Sequence, residues 1–419
     1  MKRREFLGTA GAAAAGLMVM NARTAFGYAA NSAVRMGLLG CGGRGRHVAT
    51  SFSENTVAQV VALADIFPDQ LALGKAHFEQ VNSKLGRAAI EEKMLFHGTS
   101  AFEQLAASNV EMIQISTPSF FHVQHMGAAV AAGKHVYCEK PTGVDVRQAR
   151  EALEIAKKVG ARQSVDVGFQ CRNAPPIAAA VDKIKAGALG EVATVSGYYY
   201  APAAKEKGAG TVKDEYRLRN WIWDRALSGD ILVEQNIHIL DLCNMLLGSH
   251  PEKAVATGGR RLLHHAGDNW DNYHVEYTYP NEVRVSFTSK QFGDYSLFDA
   301  GFRVFGSKGA AAIAYSGAVK IEGAENWQWD ASTASSGGQF AANGAFSDNL
   351  KFADRDKERS FIASIVEGPV HNQIAAGVET ALTAMLGRMA GYTGREITWT
   401  QLLQQGETYE LGMDLKQFA

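Results

Sequence analysis

The sequence predicts an α/β protein in two parts: a parallel, doubly wound sheet, followed by an α/β domain with an open, mainly antiparallel sheet. Three observations carry this prediction. The first half alternates nearly continuous apolar runs with helix-forming stretches, as strands covered on both faces require. A glycine-rich turn, Gly40-Cys41-Gly42-Gly43-Arg44-Gly45, joins the first apolar run to the helix after it. The second half changes to polar–apolar alternation broken by turns, the pattern of antiparallel strands with one open face.

The elements follow in order. VRMGLLG (34–40) is a strand, and GRHVATSFS after it is a helix. VAQVVALAD (57–65) is a second strand, with a helix starting near Pro68. After a less regular stretch, Ser100 is placed to cap AFEQLAAS, and VEMIQIST (110–117) is the third clear strand. FHVQHMGAAVAAG closes at Gly133, and KHVYCEKP (134–141) is extended again. Asp145 caps the next helix and Gly160 ends it, before RQSVDVGFQ returns as a strand. EVATVSGYYY, NYHVEYTYP, EVRVSFTSKQ and GFRVFGS then alternate as strands, with turns such as Pro280-Asn281 between them. HNQIAAGVETALTAMLGRMAGYTG is a C-terminal helix. The expected divisions are a targeting segment at 1–27, a first domain at 31–170 and a second at 171–419. Two long irregular stretches, 201–225 and 324–349, have the length of functional loops. The first carries Arg219, Trp221 and Trp223 and is a candidate substrate wall, although the tryptophans could equally be core. The second could be an arm for self-association.

The glycine turn matches G-x-G-x-x-G at a strand–helix junction, the context that gives this motif meaning. Gly40 makes the tight turn, Gly42 lets backbone approach a pyrophosphate, and the helix N-terminus adds N–H groups and a positive dipole. Gly43, Arg44 and Gly45 complete the phosphate-facing set. Asp65 ends the next strand, placed to accept from the ribose hydroxyls and to repel a 2′-phosphate. Ile66 rather than Arg follows it, so the expected cofactor is NAD, with NADP disfavoured. The first domain is thus a Rossmann fold.

At the N-terminus, Lys2, Arg3 and Arg4 precede Phe6-Leu7, an Ala/Gly-rich run and Ala25-Phe26-Gly27. This is the layout of a twin-arginine export signal, so a periplasmic location is expected. The whole chain carries 42 basic and 43 acidic residues. Removing residues 1–27 takes away four basic and one acidic, for a net charge near −4, which gives no reason to expect nucleic acid or an anionic membrane as partner. No later apolar run is long enough to insert in a bilayer. Cys41, Cys138, Cys171 and Cys243 form no CxxC pair and read as isolated thiols, with one disulfide possible in an oxidising compartment.

One stretch, GDILVEQNIHILDLCNMLL, sets Glu234, His238 and Asp241 on a single helical stripe among apolar neighbours. Buried charge is costly unless paired or used. The stripe is therefore a satisfied polar network, a metal clamp or an acid–base site. No metal is expected, since neither HExxH nor a cysteine cluster supplies further ligands.

GLLGCGGRG, STPSFFH, AAGKHVYCEKP and Glu234-x3-His238-x2-Asp241, in that order, resemble the Gfo/Idh/MocA oxidoreductases, named after glucose–fructose oxidoreductase and inositol dehydrogenase. The likeness runs from about residue 34 to 400. It implies a Rossmann domain plus an α/β domain that often oligomerises through its open sheet, hence a homo-oligomer (dimer or tetramer). It also implies a nicotinamide cofactor and a small carbohydrate substrate, a sugar, inositol or related polyol. Lys140 of Glu139-Lys140-Pro141 matches the family's catalytic lysine, in a turn whose proline is typically cis and which borders the cofactor. His238 matches the catalytic histidine. Glu234 stands where aspartate is more usual, as substrate ligand or histidine orienter. Ser116, Thr117, Pro118 and His122 are implied near the nicotinamide ribose, and Arg172 is implied to face the substrate. The chemistry agrees: a histidine suits proton removal from a secondary alcohol, and a lysine ammonium stabilises the alkoxide. Two alternatives stay open, a redox-neutral NAD-dependent glycosidase of the same superfamily and a non-catalytic NAD-binding protein.

Overall fold

The computed structural model describes residues 33–208, 211–264, 267–293, 298–324, 326–329 and 348–418. The expected targeting segment and most of the stretch 324–349 lie outside the described residues.

Six strands, β1 (Val34–Leu39), β2 (Ala58–Asp65), β3 (Leu95–His97), β4 (Met112–Ile115), β5 (His135–Cys138) and β6 (Val165–Val167), form a parallel sheet. Its order is β3-β2-β1-β4-β5-β6, so the winding reverses between β1 and β4. Ligands bind at the carboxyl ends of strands at such a reversal. Helices α1 (Gly43–Asn55), α2 (Pro68–Lys84), α3 (Ala101–Ala107), α4 (His122–Ala131) and α5 (Val146–Ala156) join the strands. The less regular stretch after α2 contains the edge strand β3, too short to show alternation. Asp145 caps α5 by accepting from the Gln148 N–H at 2.8 Å, but the helix ends at Ala156, before Gly160. Ser100 makes no side-chain bond to the backbone of α3; its hydroxyl accepts from the Gln104 amide instead.

After α6 (Pro175–Lys185) the chain builds a nine-stranded sheet. Its strands are β7 (Val192–Ala201), β8 (Lys253–Gly259), β9 (Asn272–Thr278), β10 (Arg284–Gln291), β11 (Asp299–Gly306), β12 (Gly309–Ala314), β13 (Val319–Gly323), β14 (Trp327–Gln328) and β15 (Ile397–Thr398). The order is β14-β13-β12-β11-β7-β10-β9-β8-β15, and only β7 and β10 pair in parallel. β12 reads GAAAIA, weak in β-propensity, and is held extended by partners on both edges.

The remaining helices are α7 (Lys213–Arg219), α8 (Arg225–Ser228), α9 (Ile231–Glu234), α10 (Ile237–Leu247), α11 (Asp348–Val366), α12 (Ile374–Thr393) and α13 (Trp399–Gln405). The expected single helix carrying the polar stripe is two helices, broken at Gln235 and Asn236. Asp230 stands at φ 78°, and its carboxylate accepts from the Ile231 N–H, so the backbone enters α9 through a left-handed residue. α11 was not foreseen from the sequence. Its Phe361 and Ile362 pack with Val34, Met36, Val48 and Phe52, so a segment distant in sequence completes the core under the first sheet.

Candidate active site

At the end of β1 the chain turns at Gly40, with φ +92°. A Cβ there would stand 2.6 Å from the Ser116 carbonyl oxygen. At Gly45 it would stand 2.1 Å from the Gly40 carbonyl oxygen, so glycine is what lets α1 begin against the strand. Gly42 and Gly43 instead have open space where a side chain would be. A cavity of about 430 Å³ lies beside them, bordered also by Asp65, Ser116, Thr117 and Pro118. Open backbone at a helix N-terminus, a carboxylate one strand away and an apolar far end fit a dinucleotide.

Asp65 does more than face this cavity. Its two oxygens accept from the N–H groups of Cys41 at 2.7 Å and Phe67 at 2.8 Å, tying the glycine turn to the end of β2. Burial pushes its carboxyl above the usual range, while the two N–H groups pull the other way. A carboxylate has lone pairs for ribose hydroxyls beyond those two bonds.

Several expected ligands have other partners. Arg44 points away from the phosphate side to Glu139 at 2.8 Å, Gln170 at 2.8 Å and Asp354 of α11 at 2.9 and 3.0 Å. Burial would raise Asp354, but Arg44 and His47 hold it down at about 2. Glu139 therefore binds Arg44, a positioning contact beside Lys140. His122 is buried between the Pro141 and Thr117 carbonyls, at 2.9 and 2.8 Å, and fixes the loop after β5. His125, one helical turn on, borders the cavity, bonded to the Thr117 hydroxyl at 3.0 Å. Burial lowers its pKa to about 3, so it stays neutral. Arg172 is paired with Asp241 through two bonds, one of 2.8 Å, and Thr380 donates to the same carboxylate at 2.9 Å. That pairing makes Asp241 a satisfied structural group. The tryptophans divide: Trp223 is fully buried, whereas Trp221 borders the dinucleotide cavity.

Lys140, Glu234 and His238 are brought together from distant parts of the chain. The Lys140–Pro141 bond is cis. The Lys140 ammonium donates to the Glu234 carboxylate at 2.8 Å and to the Glu234 backbone carbonyl. Both side chains are nearly covered, at 11% and 10% exposure, so the pair is a partly desolvated clamp between the loop after β5 and α9. His238, 8% exposed, lies edge-on to Phe169, and its Nδ1 has no hydrogen-bond partner among the described residues. Asn236, at the helix break, has both amide atoms in the same condition. Burial first, then the charges of Lys140 and Arg44, push the His238 pKa well below 6.5. The four cysteines are all free and buried. Among the described residues no group of three His, Cys, Asp or Glu is placed to hold a metal ion.

Arg388 of α12 was missed in the sequence, where it reads as one arginine in a C-terminal helix. It is 1% exposed, and one guanidinium nitrogen donates to the Val144 carbonyl and to the Gly229 carbonyl, each at 2.8 Å. It thereby staples the loop after Lys140 to the turn before Glu234. Tyr392, one turn further along α12, donates to the Asp230 carboxylate at 2.6 Å. Burial pushes Asp230 up to about 6.

Two predictions come from this geometry. Arg388→Met leaves two buried carbonyls unpaired, at about 1–3 kcal/mol each, and frees Lys140 and Glu234 to drift apart. Turnover should fall by about 10²-fold, with Arg388→Lys intermediate; steady-state rates beside a melting curve check this. Full turnover in a folded Arg388→Met protein would remove the staple from the account. The second prediction concerns pH. A depressed His238 pKa leaves the imidazole neutral and able to accept a proton below pH 6.5, so the acid limb of kcat/KM for alcohol oxidation lies below 6.5. The same sign holds for stability: as pH falls through 6.5 the unfolded chain takes up this proton first, and the fold loses stability. An acid limb above 6.5 would contradict the buried, neutral histidine.

Comparison with known proteins agrees with this architecture. Residues 34–167 match the oxidoreductase family with an NAD-binding Rossmann fold, and residues 177–312 match the GFO/IDH/MocA C-terminal domain. The chain is 29% identical over 291 residues to an inositol 2-dehydrogenase of Rhizobium meliloti (strain 1021), covering 69% of this chain and 78% of that protein. The structure of a levoglucosan dehydrogenase in complex with NADH and levoglucosan superposes with a TM-score of 0.69 at 18% identity, over 88% of this chain and 100% of that one. An aldose–aldose oxidoreductase from Caulobacter crescentus does so at 0.66 and 21% identity, over 87% and 99%. With both halves matched to the same family, the chain belongs to the GFO/IDH/MocA oxidoreductases.

Proposed function

We propose that this protein is an exported, NAD-dependent oxidoreductase of a sugar or polyol, which retains its cofactor and recycles it in place. The observation that carries the reading is the clamp between Lys140, on the loop after β5, and Glu234 of α9, beside a neutral His238 of α10 whose Nδ1 has no partner among the described residues. The bound nicotinamide supplies the hydride acceptor and donor. Lys140 donates to the substrate oxygen and steadies the negative charge that develops there. His238 takes the hydroxyl proton as the C–H bond breaks and returns it in the reverse direction. Glu234 holds the ammonium in place and keeps its charge compensated before substrate arrives. Asn236, between the two, has amide atoms suited to further hydroxyls, and the inositol dehydrogenase among the relatives is named for a polyol.

Asp65 supports NAD over NADP, because a buried carboxylate at the ribose repels a 2′-phosphate. Retention is supported by the export signal read in residues 1–27. A protein exported folded can carry its cofactor, and free nicotinamide is scarce outside the cytoplasm. The sheet face bordered by Tyr198, Arg303, Lys320 and Trp329 is the surface proposed to pair with a second copy.

The test is isolation of the exported protein without added nucleotide. It should begin after residue 27, release NAD rather than NADP on denaturation, and convert a sugar with a second carbonyl compound as acceptor. Protein isolated empty, or needing stoichiometric added NAD, would refute retention. Arg3 and Arg4 replaced by Lys should strand the precursor in the cytoplasm. Release of an aglycone without net redox change would favour the glycosidase alternative.

A further inference from the structure

The cavity beside the glycine turn is not closed by the first domain alone. Beyond Asp65 its wall is Ile66 and Phe67, followed by Leu218, Arg219, Trp221 and Leu415. The last four come from α7, from the turn after it, and from the segment 409–418. The glycine turn and Asp65 account for the pyrophosphate and ribose, so this second wall lies where the adenine end of a dinucleotide belongs.

The wall is a built feature. The Arg219 guanidinium lies 4.1 Å from the centre of the Phe67 ring and is tied to Asp69 of α2 at 2.9 and 3.1 Å and to Glu215 at 2.7 Å. Phe418 meets Phe67 edge-on at 5.7 Å. Leu411, Met413, Leu415 and Phe418 pack in one apolar cluster with Phe67 and Leu218. Polar bonds anchor the segment at both ends. The Tyr409 N–H donates to Asp145 at 2.7 Å, Arg217 donates to the Leu411 carbonyl at 3.2 Å, and Gln417 donates to Asp214 at 3.0 Å. Apolar side chains, an aromatic ring and a guanidinium plane together suit a flat heteroaromatic base.

We infer that α7, Trp221 and the segment 409–418 form a cap that completes the adenine end of the cofactor site and slows the cofactor's departure. This rests on the reading that the cavity holds NAD(H). The cap joins retention to structure: leaving requires parting the Arg219–Asp69 pair and lifting Leu415 off the base. Its ion pair is partly exposed, at 19% and 51%, so salt should weaken the latch.

The experiment loads the full-length protein with NADH and chases it with excess NAD, following the fluorescence of the bound nucleotide. Arg219→Ala with Leu415→Ala should release NADH about tenfold faster or more, as expected from losing one apolar contact and one ion pair at the mouth. Leu415→Ala alone, a partly exposed position, keeps the test informative if the double variant does not fold, and should release severalfold faster. Salt should speed release from the unaltered protein and lose much of that effect in Arg219→Ala. An unaltered protein that holds NADH while both variants release it at the same rate overturns the cap and leaves the cofactor assignment standing. Failure of the unaltered protein to bind either nucleotide overturns both.

Discussion

The bond between Lys140 and Glu234 is the constraint on which the rest of the structure turns. A lysine ammonium on the last loops of a parallel sheet would ordinarily reach water. Here it is nearly covered, and a covered cation is tolerable only where carboxylate and carbonyl compensate it. Both acceptors come from one residue, Glu234, on a helix of the other domain. That meeting brings His238, four residues past the end of α9, into the same enclosure. Burial first, and then the charge of Lys140, keep that imidazole neutral. One contact thus places the Lys140 ammonium beside the His238 imidazole.

The surrounding architecture holds that contact with three arginines, Arg44 and Arg172 partly covered and Arg388 buried, each joining segments far apart in the chain. Arg44 leaves the glycine turn to bind Glu139 and Asp354, so the residue before Lys140 is fixed by a helix that begins at Asp348. Arg172 secures α10 through Asp241. Arg388 binds the turns on either side of the clamp. A planar guanidinium can donate to several fixed acceptors at once, which a lysine does poorly. Each is a pairing that would cost several kcal/mol to leave half made.

Much of this was legible in the sequence, for identifiable reasons. Strand and helix alternation, the glycine turn and the Asp145 cap are local, and the structure reproduces them where the pattern is strong. Lys140, Glu234 and His238 were marked by polar residues in an apolar run and by the order of motifs. Long-range partnership was not legible. Arg44 sits inside a phosphate-binding motif, and nothing local shows that its acceptor lies 310 residues on. His122 and His125 are equally polar in sequence, and only the fold decides that the first lies between two carbonyls while the second meets the cavity. Trp221 and Trp223 occupy one short 3₁₀ turn that points them to different surroundings. The break at Gln235 and Asn236 was hidden because the apolar periodicity runs on through ILVE and IHIL on either side of it. Arg388 carried no signal beyond its charge.

If the proposed roles hold, His238 accepts the substrate proton beside the Lys140–Glu234 clamp, and a bound nicotinamide would supply the hydride acceptor. The most direct measurement is a single turnover of cofactor-loaded protein, with oxidised cofactor in place. The protein is mixed with excess sugars and polyols, and the absorbance of reduced nicotinamide is followed. Reduction is expected on the enzyme with at least one such alcohol, slowed by about 10²–10⁴ in His238→Ala with the cofactor still bound. No reduction by any of them, or an unchanged rate in His238→Ala, would contradict it.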